Sequence, residues 1–334
     1  MIRRRFLLVL VRGLAGLTMA ALGAQFAHAA DPAPRVVRVG FVGPTSASTA
    51  PRGVAAFWEH LRELGWTEGD NLIVERRWAE GQMERLPALM AEVIERKVDV
   101  LVTHSTSPAL AAKNSTVTVP IVVAAMGDPV GNGLAVSLAH PGSNLTGLSV
   151  GLAEGLAGKW LELLKETLPR LSTVAVLTNP EGVMVRGLVA ELKVAAPALG
   201  LKLKFVEVRA PQQLDRAFEQ AQRAAQAILV LPDPLTITNR QLIVALAAKS
   251  KLPAMFTWRE PVETGGLMAY GPNVVVMFRH AAEYEDKILQ GAKPADLPIE
   301  QPTQFELIIN LKTAKTLGIT IPQSILVRAD EVIR

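Results

Sequence analysis

Asp99-Val100-Leu101-Val102-Thr103, followed at once by His104-Ser105-Thr106-Ser107-Pro108, is the stretch from which the rest of the chain is read. An unbroken run of aliphatic residues suits a strand buried on both faces. Small hydroxyl residues and a proline then mark a turn into a helix. The unit recurs on either side. Val36–Val42, Asn71–Trp78 and Pro120–Met126 read as strands; Pro51–Leu64, Met83–Arg96 and the segment from Pro108 to Lys113 read as helices. After Asn144-Leu-Thr-Gly-Leu148 the alternation begins again. Thr173–Thr178, Lys202–Val208, Ala227–Leu231 and Pro253–Phe256 read as strands; Leu156–Leu168, Val185–Leu199, Pro211–Ala225 and Thr236–Lys251 read as helices. Apolar strands separated by helices predict parallel sheet covered on both faces, and two successive runs predict two doubly wound α/β lobes.

In such sheets ligands bind beyond the carboxyl ends of the strands. Those ends carry Gly43-Pro44-Thr45-Ser46-Ala47-Ser48, His104-Ser105-Thr106-Ser107-Pro108 and Gly127-Asp128-Pro129 in the first run. In the second they carry Asn179-Pro180, Pro232-Asp233-Pro234, Trp258-Arg259-Glu260 and, after a later strand, Tyr270-Gly271-Pro272-Asn273. If the two edges face each other, small hydroxyls, amides and a few carboxylates line a cleft. Ser107 is placed to cap a helix opened by Pro108, whose free N–H groups suit a ligand carboxylate. Asp128, Asp233 or Glu260 suits a ligand ammonium, and Trp258 and Tyr270 are placed at strand ends to meet a ligand.

The first thirty residues differ from the rest. Arg3-Arg4-Arg5, an apolar stretch from Phe6 to about Phe26, and Ala27-His28-Ala29 read as an export signal over residues 1–30. The arginines also fit a twin-arginine pattern. The full sequence has 35 basic and 31 acidic residues; the signal holds four of the basic ones, so the remainder carries 31 of each. The basic balance therefore belongs to the signal, and nothing points to nucleic acid. No cysteine occurs, which excludes thiolate metal sites, thiol nucleophiles, disulfides and a lipid-anchored export cysteine. The product expected is an exported, periplasmic protein free of the membrane.

The histidines lack metal-ligand spacing. No phosphate-binding glycine loop with its lysine appears, and no nucleophile elbow. No cofactor, metal site or catalytic residue is expected; His104, on a cleft loop, is a further candidate ligand contact.

Val39-Gly-Phe41, Leu61-Arg-Glu-Leu-Gly-Trp66, Glu68-Gly-Asp-Asn-Leu72, Trp78-Ala-Glu-Gly81 and Val98-Asp-Val-Leu-Val-Thr103 resemble the opening of the ABC-transporter substrate-binding family that includes tryptophan- and tyrosine-binding members. Gly127-Asp-Pro-Val-Gly131, Pro141-Gly-Ser-Asn-Leu-Thr-Gly147, Leu229-Val-Leu-Pro-Asp-Pro234, Tyr270-Gly-Pro-Asn273 and Ile288-Leu-Gln-Gly-Ala-Lys-Pro-Ala-Asp-Leu-Pro298 continue the resemblance in order. It implies a type I periplasmic-binding fold, two doubly wound parallel-sheet lobes joined by a hinge. One lobe takes 35–148 plus about 274–297; the other takes 149–273 plus about 298–334. It also implies a membrane permease and an ATPase as partners, and ligand contacts at Ser46, Thr106, Ser107, Asp128, Asn179 and Asp233; a monomeric protein is expected.

The function expected is a solute-binding component of an ABC uptake system that closes on a small amino-acid-like, aromatic or carboxylate ligand. A clamp handing its closed form to a membrane receptor fits the same residues. A transcription regulator is disfavoured by the export signal, and an exported hydrolase by the lack of a nucleophile–base set.

Overall fold

A computed structural model describes residues 36–50, 52–151 and 155–334. The expected export signal lies outside the described residues. From Val37 onward the chain forms one compact unit holding two separate sheets.

The first lobe is built on β1 (Val37–Gly43), α1 (Arg52–Glu63), β2 (Leu72–Trp78), α2 (Leu86–Glu95), β3 (Val100–Thr103), α3 (Thr106–Ser115), β4 (Ile121–Met126) and β5 (Leu145–Ser149). Its five strands lie in the order β2-β1-β3-β4-β5, all parallel. Alternate residues leave opposite faces of a strand, and the packing follows that rule. Val37, Val39, Phe41, Val100, Val102, Val122 and Ala124 pack on one face with α1; Leu101, Ile121 and Val123 pack on the other with α2 and α3.

The second lobe follows as α4 (Leu156–Thr167), β6 (Thr173–Thr178), α5 (Val185–Ala198), β7 (Lys202–Glu207), α6 (Leu214–Ala224), β8 (Ala227–Val230), α7 (Pro234–Thr238), α8 (Arg240–Lys249), β9 (Ala254–Phe256), α9 (Glu260–Glu263) and β10 (Met268–Pro272). The chain then returns to the first lobe through α10 (Val274–Leu289), whose Met277, Phe278, Ala281 and Ala282 join the core beneath β1 and β3. It crosses back to β11 (Phe305–Asn310), α11 (Leu311–Thr316), α12 (Gln323–Leu326) and β12 (Glu331–Ile333). The second sheet runs β12-β11-β10-β9-β8-β6-β7. Trp160 of α4 is fully buried against it and donates its indole N–H to the Tyr270 carbonyl at 2.7 Å.

Four sequence expectations change. The second sheet is not purely parallel: β11 runs antiparallel to β10, because the detour through α10 delivers the chain from the opposite end. Leu145–Ser149 is a strand, though its sequence is short, glycine-bearing and half polar. A side chain at Gly147 would bring a Cβ 2.1 Å from the Val123 carbonyl oxygen, so the approach of β4 and β5 requires glycine there. The helix read over Thr236–Lys251 is two helices meeting at Asn239. Ser107 is not a helix cap: α3 begins at Thr106 with Ser105 as the cap residue, and Ser107 and Pro108 lie in its first turn. Proline is tolerated there because the first four helical N–H groups have no intrahelical acceptor.

Beside the crossing segments, Ser149 N–H donates to the Glu300 carbonyl and Glu300 N–H to the Gly147 carbonyl, while the Tyr284 hydroxyl donates to the Pro298 carbonyl at 2.7 Å. These bonds tie the last crossing to the end of β5.

Candidate ligand-binding cleft

A cavity of about 230 Å3 opens at the carboxyl ends of β1, β3, β4, β8 and β9, where both sheets turn their loops toward each other. A water molecule requires roughly 10–15 Å3 of such space, so there is room for one small molecule of amino-acid or sugar size. Ala125, Val150, Met184, Phe256, Val274 and Phe278 give it an apolar wall.

The polar lining is sparse. From the first lobe come Thr49, Arg52, His104 and Ser105. From the second come Asp233, Arg240, Thr257, Trp258, Glu260 and Glu263. Three of these hold buried polar atoms with no hydrogen-bond partner in the described structure: His104 Nε2, Thr257 Oγ1 and Trp258 Nε1. An unpartnered buried donor or acceptor costs about 1–3 kcal/mol, and buried polar groups are nearly always paired. All three atoms, contributed by both lobes, belong to residues that line this one cavity.

His104 is 3 % exposed, its ring lying 5.5 Å from that of Phe278 and 6.2 Å from that of Phe41. Burial among these rings pushes its pKa down to about 4, so the imidazole is neutral at pH 7. Ser105 beside it adopts φ +71°, a left-handed conformation costly for serine, held by its N–H bond to the Ala125 carbonyl.

Asp233 is buried at the end of β8. Its Oδ1 accepts from the Leu235 N–H at 2.9 Å and from Asn179 Nδ2 at 3.2 Å. Burial raises its pKa despite these bonds, and no cationic side chain pairs with it among the described residues. Arg240 likewise has no carboxylate partner there: its Nη1 donates to the Thr49 carbonyl across the cleft at 3.1 Å and to the Ile237 carbonyl at 3.0 Å. Arg52 pairs with Glu263.

The expected contact residues divide. Asp233 and Trp258 line the cavity, and Asn179 reaches it through its bond to Asp233. Asp128 is exposed and lines a second, wider cavity of about 640 Å3 with Asn132, Arg186 and Glu191; its carboxylate accepts from the Gly131 N–H at 2.8 Å and shapes its own turn. Ser46, Thr106, Ser107 and Tyr270 line neither cavity. Ser46 bonds within its loop to Thr49, Thr106 Oγ1 accepts from the Gly127 N–H at 2.8 Å, and the Tyr270 ring stacks on Phe305. The Ser46 and Thr106 hydroxyls are spent on local structure. Arg52, Met184 and Arg240 were not singled out from sequence, since they stand within helices or on a helix's approach rather than directly after strands.

The family described as ABC transporter substrate binding protein matches residues 41–333. The chain belongs to that family. It is therefore a solute-binding component of an ABC uptake system, and its two α/β lobes are those of a type I periplasmic-binding fold. A tyrosine-binding protein of Clostridioides difficile (strain R20291) is 26% identical over 261 residues, 78% of this chain and 75% of that one. An ABC domain from Streptococcus pneumonia, solved in complex with L-Trp, superposes with a TM-score of 0.82 at 25% identity, covering 89% of this chain and 99% of that one. A ligand-free, open substrate-binding protein with adhesive properties from Clostridium difficile gives 0.66 at 26% identity over the same shares.

Among the described residues no helix is long and apolar enough to cross a membrane, and no group of three His, Asp or Glu side chains is placed to hold a metal ion.

Proposed function

We propose that the 230 Å3 cavity binds one zwitterionic amino acid with an aromatic side chain, and that the lobes close on it. The observation carrying this reading is the set of unpartnered buried atoms, His104 Nε2, Thr257 Oγ1 and Trp258 Nε1, contributed by both lobes to one apolar-walled space. A ligand that bonds both lobes only when they are closed shifts the population to the closed form. Asp233 takes the ammonium, with Asn179 holding the carboxylate in place; Arg240 takes the ligand's carboxylate. The apolar wall and Trp258 take the side chain. The tyrosine-binding relative and the L-Trp complex support this class.

In this reading the protein binds without turnover. Residues 1–30 direct export and the clamp works in the periplasm. The lobes comprise 35–148 with about 274–297, and 149–273 with about 298–334. A permease with its ATPase receives the closed, monomeric form. Ser46, Thr106, Ser107 and Tyr270 shape the elements around the cleft instead of touching ligand, and Asp128 borders the outer cavity.

Calorimetric and thermal-shift titration with the twenty L-amino acids tests the reading. A ligand of the folded state at a hundredfold excess over Kd stabilises by about 2.7 kcal/mol. A rise in Tm confined to aromatic amino acids is the expected result. A flat response to all of them, or conversion of a bound compound to product, overturns it.

A further inference from the structure

We propose that His104 sets the specificity of the cleft: its imidazole Nε2 hydrogen-bonds an uncharged O–H or N–H at the far end of an aromatic ligand side chain. The inference rests on the reading of the cavity as an amino-acid site and adds what the first lobe demands of that ligand.

The polar groups of the cavity are segregated. Asp233, Arg240 and Glu260, the charged lining side chains that form no ion pair among the described residues, all belong to loops and helices of the second lobe. The apolar wall from the first lobe is Ala125, Val274 and Phe278, with Val150 beside them at the crossing and His104 set among them. A zwitterionic head held on the second lobe therefore extends its side chain toward that wall. Of the first lobe's other polar lining residues, Arg52 is paired with Glu263 and the Thr49 carbonyl accepts from Arg240, which leaves the His104 imidazole and its neighbour Ser105 among the apolar side chains.

That imidazole has a bond to make. His104 is 3 % exposed, and its Nε2 is buried without a partner. Its Nδ1 lies 3.5 Å from Ser105 Oγ. If the serine hydroxyl donates to Nδ1, Nε2 carries the proton and donates; if Nδ1–H donates to the serine oxygen, Nε2 accepts. Either tautomer serves a phenolic hydroxyl, and the second serves an indole N–H. Burial between Phe41 and Phe278 keeps the ring uncharged, which removes any preference for a carboxylate at this point. A side chain lacking the heteroatom leaves Nε2 buried and unpaired, and sites built around such a bond reject the analogue lacking it.

The test is a set of calorimetric titrations of L-tyrosine, L-tryptophan and L-phenylalanine into the wild-type protein and into His104→Phe, His104→Gln and Asp233→Asn, each checked by circular dichroism and Tm. The wild type is expected to bind tyrosine or tryptophan at least about tenfold more tightly than phenylalanine. His104→Phe is expected to erase that ratio, and His104→Gln, which keeps a polar atom, to retain part of it. Asp233→Asn is expected to weaken all three ligands by a common factor and leave the ratio intact. A purely structural His104 would change all affinities together. A wild type that binds phenylalanine as well as tyrosine and tryptophan overturns the proposal, as does an unchanged ratio in both His104 variants. A wild type that binds none of the three overturns the amino-acid reading beneath it, an outcome distinct from binding without discrimination.

Discussion

Arg52, the first residue of α1, and Glu263, the last of α9, grip each other across the cleft through two parallel bonds, Nη1–Oε1 at 3.0 Å and Nη2–Oε2 at 2.9 Å. The two helices pack on different sheets, so the pair exists only when the lobes are near. Glu263 is held from its own side by Arg259 Nε at 3.0 Å. Glu263 thus has one cationic partner on its own lobe and one on the other.

Because Arg52 is 61 % exposed at its side chain, the bridge is screened by solvent and is worth at most about 1 kcal/mol. Arg52→Ala should lower ligand affinity roughly two- to fivefold without changing Tm of the unliganded protein. The loss should shrink as salt rises. Titrations at low and high NaCl measure both effects; an affinity unmoved at low salt would show that the bridge does not bias closure.

Asp233 and Asp128 should separate cleanly. Asp233→Asn keeps a good helix cap at α7 but removes the buried charge facing the ligand. Affinity should fall by about two orders of magnitude with Tm nearly unchanged. Asp128→Ala removes an exposed turn acceptor in the outer cavity, and affinity should stay within about twofold. Equal losses from both variants would place the ligand in the outer cavity.

Glu285 predicts a pH effect on stability. It is 0 % exposed within the first lobe's α10, neither carboxylate oxygen has a partner, and burial pushes its pKa up to about 8. The folded chain then holds a proton that the unfolded chain releases near the ordinary 4.5. The stability this contributes is fully present below 4.5 and is lost as pH rises through 8. His104 has the opposite sense: its pKa falls from 6.5 to about 4, so its contribution is complete above 6.5 and disappears as pH drops. Between pH 6.5 and 8 the carboxyl acts without the histidine. Wild-type Tm should decline across that window more steeply than that of Glu285→Gln. Parallel curves would show that the carboxyl titrates normally.

Trp258 should report binding. It lines the cavity, its indole N–H is unpartnered, and its ring packs partly against the first lobe's core. Ligand should change tryptophan emission in the wild type and leave it nearly unchanged in Trp258→Phe, because Trp58, Trp66, Trp78 and Trp160 do not line the cavity. A persisting signal in the variant would assign the change to one of those four.

The strand-and-helix alternation was readable because parallel strands buried on both faces need continuous apolar runs, as in Val100–Thr103 and Ala227–Val230. The same pattern located the strand ends, and with them Asp233 and Trp258. It failed where chemistry and local bonding use the same residue types. Ser46 and Thr106 have the composition of ligand contacts, yet their hydroxyls close a loop and join β3 to β4. Leu145–Ser149 does not read as a strand because its glycine answers to Val123, a partner twenty-odd residues away in sequence.

By itself the sequence determined the class of the fold, the two lobes and the edge on which a ligand would sit, since periodicity and turn chemistry are local properties. Tertiary structure decided which polar atoms at that edge remain unsatisfied. Whether Nε2 of His104 or Oγ1 of Thr106 is free depends on what the neighbouring strand, the α10 helix and the opposite lobe bring within bonding distance, and no window of sequence contains those partners.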